Sequence, residues 1–224
     1  MKLSPRLEYI LSLAESSAHT ADVGTDHGKL AAELIISGKA SHVTACDINE
    51  GPLSKAAELV SELGIGESVS IVCTDGLRGL ECRGIDQVVI AGMGGELIRD
   101  IISAAPWVKT DTVRLLLQPM TASAELIRYL YDEGFAIETR GAVREGRRAY
   151  EVIAAKYDGL RRECTPFTAE AGEFDGDADA VRALLQKKRA ALSKRLIGAK
   201  RSSADEAEMI LSVIAEIDKR LEEK

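Results

Sequence analysis

Apolar positions along the chain follow two patterns, short runs and helical repeats. Between residues 21 and 156, short apolar runs that end near Gly or Asp alternate with stretches in which apolar residues recur every three or four positions. The runs are typical of strands, and the repeats are typical of amphipathic helices. Strands are therefore predicted over residues 21–23, 43–46, 69–73, 87–91, 113–117, 135–139 and 149–156. Strands that alternate with helices at this spacing predict an α/β fold, a mostly parallel sheet with helices on both faces.

The helical repeats lie before, between and after these strands. Ser4 and Pro5 predict the start of a first helix, with a hydroxyl cap and a proline at the first helical position. Further helices are predicted over residues 29–37 and 52–63, and after the fourth and fifth strands as far as Ile102 and Glu133. The last two strands follow each other without a helix, so we expect them to close the sheet as a hairpin.

The pattern changes after a polar connector at residues 158–177. Two apolar stripes follow, one from Ala178 and one from Ala207, and Ser203 with Glu206 has the form of a capping box between them. Two stripes joined by a short turn predict an antiparallel helical hairpin that resembles a coiled coil. We therefore expect a domain at residues 1–160, followed by the connector and hairpin at residues 161–224.

Composition limits the class of protein without changing this picture. The 224 residues are 46% hydrophobic and 29% charged, with a formal net charge of -7, which is ordinary for a soluble globular protein. No apolar run reaches the roughly 18 to 20 residues of a membrane span, and acidic residues interrupt the N-terminus where a signal peptide would be apolar. The four cysteines lack C-x-x-C spacing, so no metal site or disulfide framework is expected. We expect a cytoplasmic protein with reduced thiols, and a monomer is favoured.

Basic residues concentrate in two places despite the acidic total. Residues 187–201 carry seven basic residues and no acidic one, and arginines surround the turn between the last two predicted strands. Such side chains are expected to bind phosphates of a nucleic acid, while the alternatives are an ordinary solvated surface or a surface for a protein partner. The candidates are Arg140, Arg144, Arg147, Arg148, Lys187, Lys188, Lys194 and Arg195.

A glycine-rich loop follows the first predicted strand. It includes Asp22, Gly24, Thr25, Asp26, His27 and Gly28. Glycines at such a turn let the backbone approach a ligand at the start of a helix. The loop lacks the dinucleotide pattern G-x-G-x-x-G, because Asp26 stands where a second glycine would be. An acid there repels a pyrophosphate and attracts a cation, which favours the sulfonium of S-adenosylmethionine over NAD; the alternative is a purely structural turn.

Two further acids follow the second and third predicted strands. Asp47 lies 23 residues after Gly24, near the distance expected of a ribose-binding acid, and its carboxylate accepts hydrogen bonds from two hydroxyls. Asp75 precedes Gly76 and is placed to accept a hydrogen bond from the exocyclic amine of an adenine ring. The structural alternatives are a helix cap at Asp47 and an ordinary Asp-Gly turn at Asp75.

The fourth and fifth predicted strands end in loops that suit a wall of a binding site. Gly92, Met93, Gly94 and Gly95 follow the fourth strand, and three glycines in four residues imply close approach of the backbone. Gln118 and Pro119 follow the fifth strand, where an amide before proline is similar to the loop of enzymes that methylate base amino groups. The structural alternatives are tight packing in the first loop and strand termination by proline in the second.

Six segments occur in an order that resembles one known family. They are D-V-G-T-D-H-G from Asp22, C-D-I-N-E-G-P-L from Cys46, T-D-G-L from Thr74, V-I-A-G-M-G-G from Val89, L-L-Q-P-M from Leu116 and R-A-Y-E-V-I from Arg148. Together they resemble the bacterial tRNA adenine(22)-N(1)-methyltransferases, the TrmK family, over nearly the whole chain. The resemblance implies a class I methyltransferase (Rossmann-like) fold with a C-terminal helical hairpin. It also implies S-adenosyl-L-methionine as cofactor and formation of 1-methyladenosine at position 22 of tRNA.

The resemblance also implies roles for individual residues. Asp26, Gln118 and Pro119 would act in catalysis, and Gly94 and Gly95 would line the pocket for the target base. The cofactor would be held by Asp22, Gly24, Thr25, Asp26, His27, Gly28, Asp47, Ile48, Asn49, Asp75, Gly76, Gly92 and Met93. Lys29 and Met120 depart from the family pattern, which has an aromatic residue and Asn there in many members.

Other functions remain open from the sequence, because the same fold serves many substrates. One alternative is a class I methyltransferase acting on a different RNA, a small molecule or a protein. Another is a tRNA-binding protein without catalysis. The two are separated by whether methyl transfer occurs and whether it requires RNA.

Overall fold

A seven-stranded sheet forms the centre of the protein in a computed structural model that describes residues 2–222. The strands are β1 (Ser17–Val23), β2 (Ala40–Asp47), β3 (Val69–Cys73), β4 (Gln87–Met93), β5 (Arg114–Pro119), β6 (Phe135–Glu145) and β7 (Arg148–Tyr157). Their order in the sheet is β3-β2-β1-β4-β5-β7-β6. The first five strands are parallel, whereas β7 runs antiparallel to both β5 and β6. The predicted sheet, including its closing hairpin, is confirmed.

Helices connect the strands and extend beyond them. They are α1 (Pro5–Leu13), α2 (Lys29–Ile36), α3 (Glu50–Glu62), α4 (Gly95–Ser103), α5 (Ser123–Asp132), α6 (Pro166–Ala171), α7 (Ala178–Ser202) and α8 (Ala204–Glu222). A short 3₁₀ turn, Pro106–Val108, precedes β5. Among residues 2–222, no helix is both long and apolar enough to cross a membrane.

The sheet has an apolar core on each face, because successive side chains of a strand point to opposite faces and both faces are covered. On β5, Leu115 and Leu117 join one core with residues of α4 and α5, while Leu116 between them joins the other core with residues of α1 and α2. All three leucines are fully buried. Helices therefore cover both faces, which confirms the layer arrangement predicted from the sequence.

The helices α7 and α8 form the predicted antiparallel hairpin with a core of its own. Leu185 and Leu192 on α7 pack with Ile210 and Ile217 on α8. The hairpin is attached to the sheet because Leu184 on α7 belongs to a small cluster with alanines of β6 and β7. The division into two domains at residue 160 remains a prediction.

Local details differ from the sequence predictions at several ends. Ser4 precedes α1, but its side chain makes no capping hydrogen bond. The predicted connector contains a helix, α6, which begins where Thr165 accepts a hydrogen bond from the Thr168 amide. Half of the predicted capping box forms, because the Ser203 hydroxyl accepts from the Glu206 amide at 3.2 Å. The Glu206 carboxylate instead accepts from Arg195 at 2.9 Å, so it is engaged across the hairpin.

Candidate active site

The carboxyl ends of the five parallel strands form one edge of the sheet, and their loops are hydrogen-bonded to one another. The amides of Gly24 and Thr25 donate to the Cys46 carbonyl at 2.8 and 3.0 Å. The Thr74 amide donates to the Asp47 carbonyl at 3.0 Å. Ligands of such sheets bind outside this edge. The loops after β1, β2 and β3 therefore form one continuous rim of a candidate binding site.

Asp22 lies near the end of β1, immediately before the glycine-rich loop that it supports. Its side chain is 5% exposed, and its Oδ2 atom accepts a hydrogen bond from the Thr25 hydroxyl at 2.7 Å. Burial raises the pKa of Asp22 to about 6, although hydrogen bonds from Thr25 and the Ala31 amide partly oppose this rise. The carboxylate thus fixes the backbone of the loop. Contact between Asp22 and a cofactor stays a prediction.

The end of the first loop places the start of α2 in the rim. His27 and Gly28 have positive φ angles of 61° and 67°. A Cβ atom at Gly28 would lie 2.9 Å from Cβ of Ala56 on α3, so the helices pack where only glycine fits. Because α2 begins immediately after Gly28, its first amide groups face the same edge as the loop.

Asp26, His27 and Lys55 form a chain of polar contacts at the rim. His27 Nδ1 lies 2.7 Å from Asp26 Oδ1, and His27 Nε2 lies 2.8 Å from Lys55 Nζ. An ammonium group only donates, so Nε2 of a neutral imidazole accepts from Lys55 and Nδ1 carries the proton that faces Asp26. The Asp26 side chain is 84% exposed and presents its carboxylate to solvent. Lys55 lies on α3, where no local motif marks it, so the sequence does not predict its place in this chain of contacts.

Asp47 and Asp75 lie at the ends of neighbouring strands, as predicted. Asp47 Oδ1 accepts from the Asn49 amide at 2.8 Å, which orients the carboxylate at the end of β2. Ile48, between Asp47 and Asn49 in the chain, is 63% exposed. Asp75 Oδ2 pairs with Arg78 at 3.2 Å. Beside Asp75, a cavity of about 190 Å³ is lined by apolar side chains that include Leu97 and Ile101 and by the charged side chains of Arg78 and Asp100.

The carboxyl ends of β4 and β5 and the residues that follow them are joined into a second unit, which we call the two-loop platform and define as residues 92–95 and 118–121. The Met120 amide donates to the Met93 carbonyl at 2.8 Å, and the Gly95 amide donates to the Thr121 carbonyl at 2.8 Å. A Cβ atom at Gly95 would lie 2.3 Å from the Ala122 carbonyl oxygen, so glycine permits this approach. The glycines at residues 92–95 thus allow close contact with residues 118–121.

Gln118 lies at the end of β5, as predicted, but its side chain is engaged within the protein. The side chain is fully buried, and its Oε1 atom accepts from Arg6 at 2.6 Å and from the Gly92 amide at 3.2 Å. Its Nε2 atom donates to the Pro119 carbonyl at 2.9 Å. An amide oxygen has two lone pairs, and both are engaged. This geometry corrects the expectation that the Gln118 side chain acts in catalysis, because its oxygen has no acceptor position left for a base amine.

Two of the predicted phosphate-binding residues are buried in an ion cluster. Arg140 and Lys188 are 7% and 8% exposed, and both contact the carboxylate of Glu151, each at 2.7 Å. Burial raises the pKa of Glu151, but the positive charges of Lys188 and Arg140 outweigh this and hold it at about 2. These contacts correct the assignment of Arg140 and Lys188 to a phosphate-binding surface, because their charges face an internal carboxylate.

The remaining predicted basic residues lie at the surface. Arg144, Arg147 and Arg148 are exposed at the tip of the β6–β7 hairpin, and Lys187 and Lys194 are exposed on α7. Arg195 is also exposed but pairs with two carboxylates, those of Glu170 and Glu206.

A cavity of about 490 Å³ separates α7 from the two-loop platform, and Lys187, Arg195 and Met120 are among the residues that line it. Within residues 2–222, no group of three His, Cys, Asp or Glu side chains is placed to hold a metal ion.

Comparison with known sequences finds similarity to methyltransferases. A family model described as a methyltransferase domain matches residues 3–153. Among curated proteins, the tRNA (adenine(22)-N(1))-methyltransferase of Bacillus subtilis (strain 168) is 33% identical over 167 residues, which are 71% of this chain and 70% of that protein. The match is therefore to a protein of similar extent.

Solved structures share the whole fold. The B. subtilis M1A22 tRNA methyltransferase TrmK is 28% identical with a TM-score of 0.71, and 99% of this chain and 96% of that chain are covered. Streptococcus pneumoniae Sp1610 in complex with S-adenosyl-L-methionine is 27% identical with a TM-score of 0.80, and 98% of this chain and 100% of that chain are covered. Because the matches extend over most of the chain, this protein belongs to the methyltransferase-domain family and, within it, to the tRNA (adenine(22)-N(1))-methyltransferases.

Proposed function

We propose that this protein transfers a methyl group from S-adenosyl-L-methionine to N1 of adenine 22 in tRNA. The observation that carries the proposal is membership of the tRNA (adenine(22)-N(1))-methyltransferase family over most of the chain. The rim of the sheet supports it with chemistry suited to that cofactor. The two-loop platform beside the rim supports a place for the base.

The polar groups of the rim fit S-adenosyl-L-methionine. Asp47 at the end of β2 is held through Oδ1 by Asn49, and its other carboxylate oxygen suits the hydroxyls of a ribose. Asp75, with its neighbouring apolar cavity, suits the amine and ring of adenine. The exposed carboxylate of Asp26 suits a cationic centre, and the start of α2 suits the carboxylate of the methionine part. Each group therefore has a complementary part of the cofactor.

The reaction needs positioning more than it needs a strong base. Bound S-adenosyl-L-methionine supplies an electrophilic methyl group, and as the bond from adenine N1 to this carbon forms, the bond from carbon to sulfur breaks and the positive charge passes to the adenine ring. N1 of neutral adenine has a free lone pair, so no proton must leave first. Alignment alone can supply roughly 7 to 11 kcal/mol of the barrier. The residues of this chain must therefore hold the ring in line.

Asp26 is the residue best placed to respond to the moving charge. Its carboxylate is exposed at the rim and is oriented by His27, whose other nitrogen is held by Lys55. A carboxylate near a cation that moves from sulfur to the base stabilises the charge along the whole step. Since Gln118 has no free acceptor, we assign the base-facing role to the platform backbone, including the Pro119 carbonyl, rather than to the Gln118 side chain.

The tRNA-binding surface is proposed to combine the hairpin tip with α7. Arg144, Arg147 and Arg148 project from the tip, and Lys187 donates a hydrogen bond to the Ala149 carbonyl at 3.0 Å, so α7 and the tip lie side by side. Lys194 follows two turns later on α7. Phosphate contacts of this kind position a nucleic acid without reading its sequence. The target base must then leave its pairing to reach the platform, as base-modifying enzymes require.

A direct test is methyl transfer from labelled S-adenosyl-L-methionine to an unmethylated tRNA transcript. We expect label in 1-methyladenosine at position 22, and no label in a matched transcript that carries guanosine there. Label at another position, or in a protein or small molecule instead of RNA, would contradict the proposed substrate. Binding of tRNA without any transfer would favour a protein that has lost catalysis.

A variant tests the role of Asp26 separately from the substrate. Asp26→Ala is expected to lower methyl transfer by about 10- to 100-fold, because a preorganised charge at the reacting centre is lost. Asp111→Ala is the matched control, since Asp111 is an exposed aspartate in the loop before β5, at the opposite edge of the sheet. Full activity of Asp26→Ala, or an equal loss in both variants, would remove Asp26 from the mechanism.

A further inference from the structure

Arg6 contacts the two-loop platform from outside both of its loops. It lies in the first turn of α1, and its side chain is 23% exposed. Its Nη1 atom donates to Gln118 Oε1 at 2.6 Å. The two residues are 112 positions apart, so no local sequence pattern predicts the contact. Arg6 therefore links the N-terminal helix to the end of β5.

The contact sets the direction of the Gln118 amide. A guanidinium group has only donors, so it can face only the oxygen end of an amide. The Gly92 amide donates to the same oxygen and imposes the same direction. The nitrogen end must then point into the loop, where it donates to the Pro119 carbonyl at 2.9 Å and lies 3.6 Å from Met120 Sδ. Arg6 thus determines which end of Gln118 holds the loop.

The amide direction matters because it connects both loops of the platform. Through Oε1, Gln118 holds Gly92 at the end of β4, and through Nε2 it holds Pro119 at the end of β5. A Cβ atom at Gly92 would lie 3.2 Å from Nη1 of Arg6, closer than most such contacts, so the bare backbone makes room for the arginine. A reversed amide would place its nitrogen against two donors and would release both loops.

Other contacts hold the guanidinium itself in place. Its carbon lies 5.6 Å from the centre of the Tyr150 ring on β7, within the range of a cation–π interaction. Its Nε atom lies 3.9 Å from Glu145 Oε2 on β6. A planar guanidinium stacks and donates at the same time, which an ammonium group cannot do equally well. The strands that carry the proposed tRNA-binding tip therefore also orient Arg6.

We infer that Arg6 is a positioning residue for methyl transfer, which acts through Gln118 to hold the two-loop platform in its reactive arrangement. The inference rests on the proposed function for its kinetic part. Its structural part, the coupling of Arg6 to Gln118 and the platform, is measurable without any tRNA. Arg6 itself contacts neither the rim acids nor the proposed tRNA-binding side chains other than through these neighbours.

The first experiment compares Arg6→Met and Arg6→Lys with the wild-type protein in steady-state methyl transfer. Arg6→Met is expected to lower kcat by about 10- to 100-fold, since small displacements at a reacting centre have effects of this size. KM for S-adenosyl-L-methionine and the affinity for tRNA should change by less than about twofold, because Arg6 contacts neither the rim acids nor the exposed basic side chains of the proposed tRNA-binding surface. Arg6→Lys should restore part of kcat, because it can still donate to Gln118. Arg162→Met is the matched control, since Arg162 pairs with Asp158 beyond β7 at the opposite edge of the sheet.

A double variant separates positioning from a general structural role. In a Gln118→Leu background, Arg6→Met should cause no further loss of kcat, because its target is already absent. Additive losses of kcat in the double variant would overturn the inference. So would a parallel loss of cofactor affinity in Arg6→Met, or a kcat of Arg6→Met equal to that of the wild type.

Hydrogen exchange of the free protein gives a result that does not depend on activity. Arg6→Met should exchange faster at the amides of Gly92, Gly95 and Met120, while the amides of α8 stay unchanged. If the wild type methylates no tRNA but this local change is seen, the proposed function fails and the coupling stands. Unchanged exchange in the platform would refute the coupling itself.

Discussion

Glu151 on β7 forms an ion pair of 2.7 Å with Lys188 on α7, and this pair crosses the junction between the sheet and the C-terminal helices. Arg140 on β6 contacts the same carboxylate at 2.7 Å and also donates to the Thr168 carbonyl on α6. Lys188 donates in addition to the Ser123 hydroxyl at the start of α5. One buried carboxylate on β7 thus gathers four further elements beside the two-loop platform.

Removal of one partner from this cluster should be strongly destabilising. Glu151→Gln leaves two buried cations without a counter-charge, so we expect a loss of about 3 to 5 kcal/mol in the free energy of unfolding. Denaturant unfolding at neutral pH measures it. Lys219→Met, at an exposed lysine of α8, serves as the control and should lose less than about 0.5 kcal/mol. A similar small loss in Glu151→Gln would show that the cluster does not stabilise the junction.

Acid should weaken the same cluster in a defined pH range. The cations hold the pKa of Glu151 at about 2, below its usual value of 4.5, despite the opposing effect of burial. Its contribution to stability is therefore complete above the unfolded pKa and is lost as the pH falls from about 4.5 toward 2. Unfolding measured from pH 7 to pH 2 should show a steeper loss below pH 4.5 in the wild type than in Glu151→Gln. Parallel curves would contradict the prediction.

Asp22 should have the opposite dependence on pH. Burial raises its pKa to about 6 from a usual 3.8, so the folded protein binds a proton more tightly than the unfolded chain. The penalty for the buried charge is full above about pH 6 and is relieved as the pH falls toward 3.8. Asp22→Asn keeps the shape and removes the charge, so its free energy of unfolding should vary less between pH 4 and pH 7. A variant curve parallel to the wild type would rule out this titration.

Gly28 tests how closely the rim is packed. Gly28→Ala adds a Cβ atom 2.9 Å from Ala56 Cβ at a φ angle of 67°, and we expect a loss of about 1 to 3 kcal/mol with weaker binding of S-adenosyl-L-methionine. Gly38 is a matched control, since its φ angle is 69° but nothing lies within 4 Å of its added Cβ atom. Gly38→Ala should show only the backbone strain and bind the cofactor normally in calorimetry. Equal effects in both variants would show that the contact with α3 is unimportant.

Affinity for tRNA should depend on salt through the hairpin tip. If Arg147 and Arg148 contact phosphates, Arg147→Gln and Arg148→Gln should each reduce the slope of log affinity against log salt by about 1. Arg189→Gln is the control, because its guanidinium is already held by Asp218. Filter binding over a range of salt concentrations gives the slopes. A slope that stays equal to the wild-type value would remove the tip from the tRNA-binding surface.

Much of the site could be predicted from the sequence because it depends on local order. Asp47 and Asp75 each follow a strand whose apolar run is visible in the sequence, and parallel strands bring their carboxyl ends to one edge. Gly28 is marked by the turn from strand to helix. Lys55 and Arg6 were missed for the converse reason, since each lies on a helix without a motif and acts through a distant residue.

The basic residues mark the limit of such reasoning most clearly. In the sequence, Arg140 and Arg144 both belong to one arginine-rich segment, and Lys187 and Lys188 are adjacent. The structure buries Arg140 and Lys188 against Glu151 and leaves their neighbours exposed. A charge count gives the same weight to all four. The position of Glu151 on a neighbouring strand decides which charges are available to a ligand.

The alternation of strands and helices, the helical hairpin and the loops of the rim could be predicted from the amino-acid sequence, because hydrophobic period, glycine and proline act over a few residues. Three contacts depend instead on the packing of the folded chain: the Gln118 amide faces Arg6, Lys55 orients His27, and Glu151 neutralises two cations. Those contacts join residues far apart in the chain. Their geometry depends on how the elements pack, and a hydrogen bond or ion pair acts only over the few ångströms that packing sets.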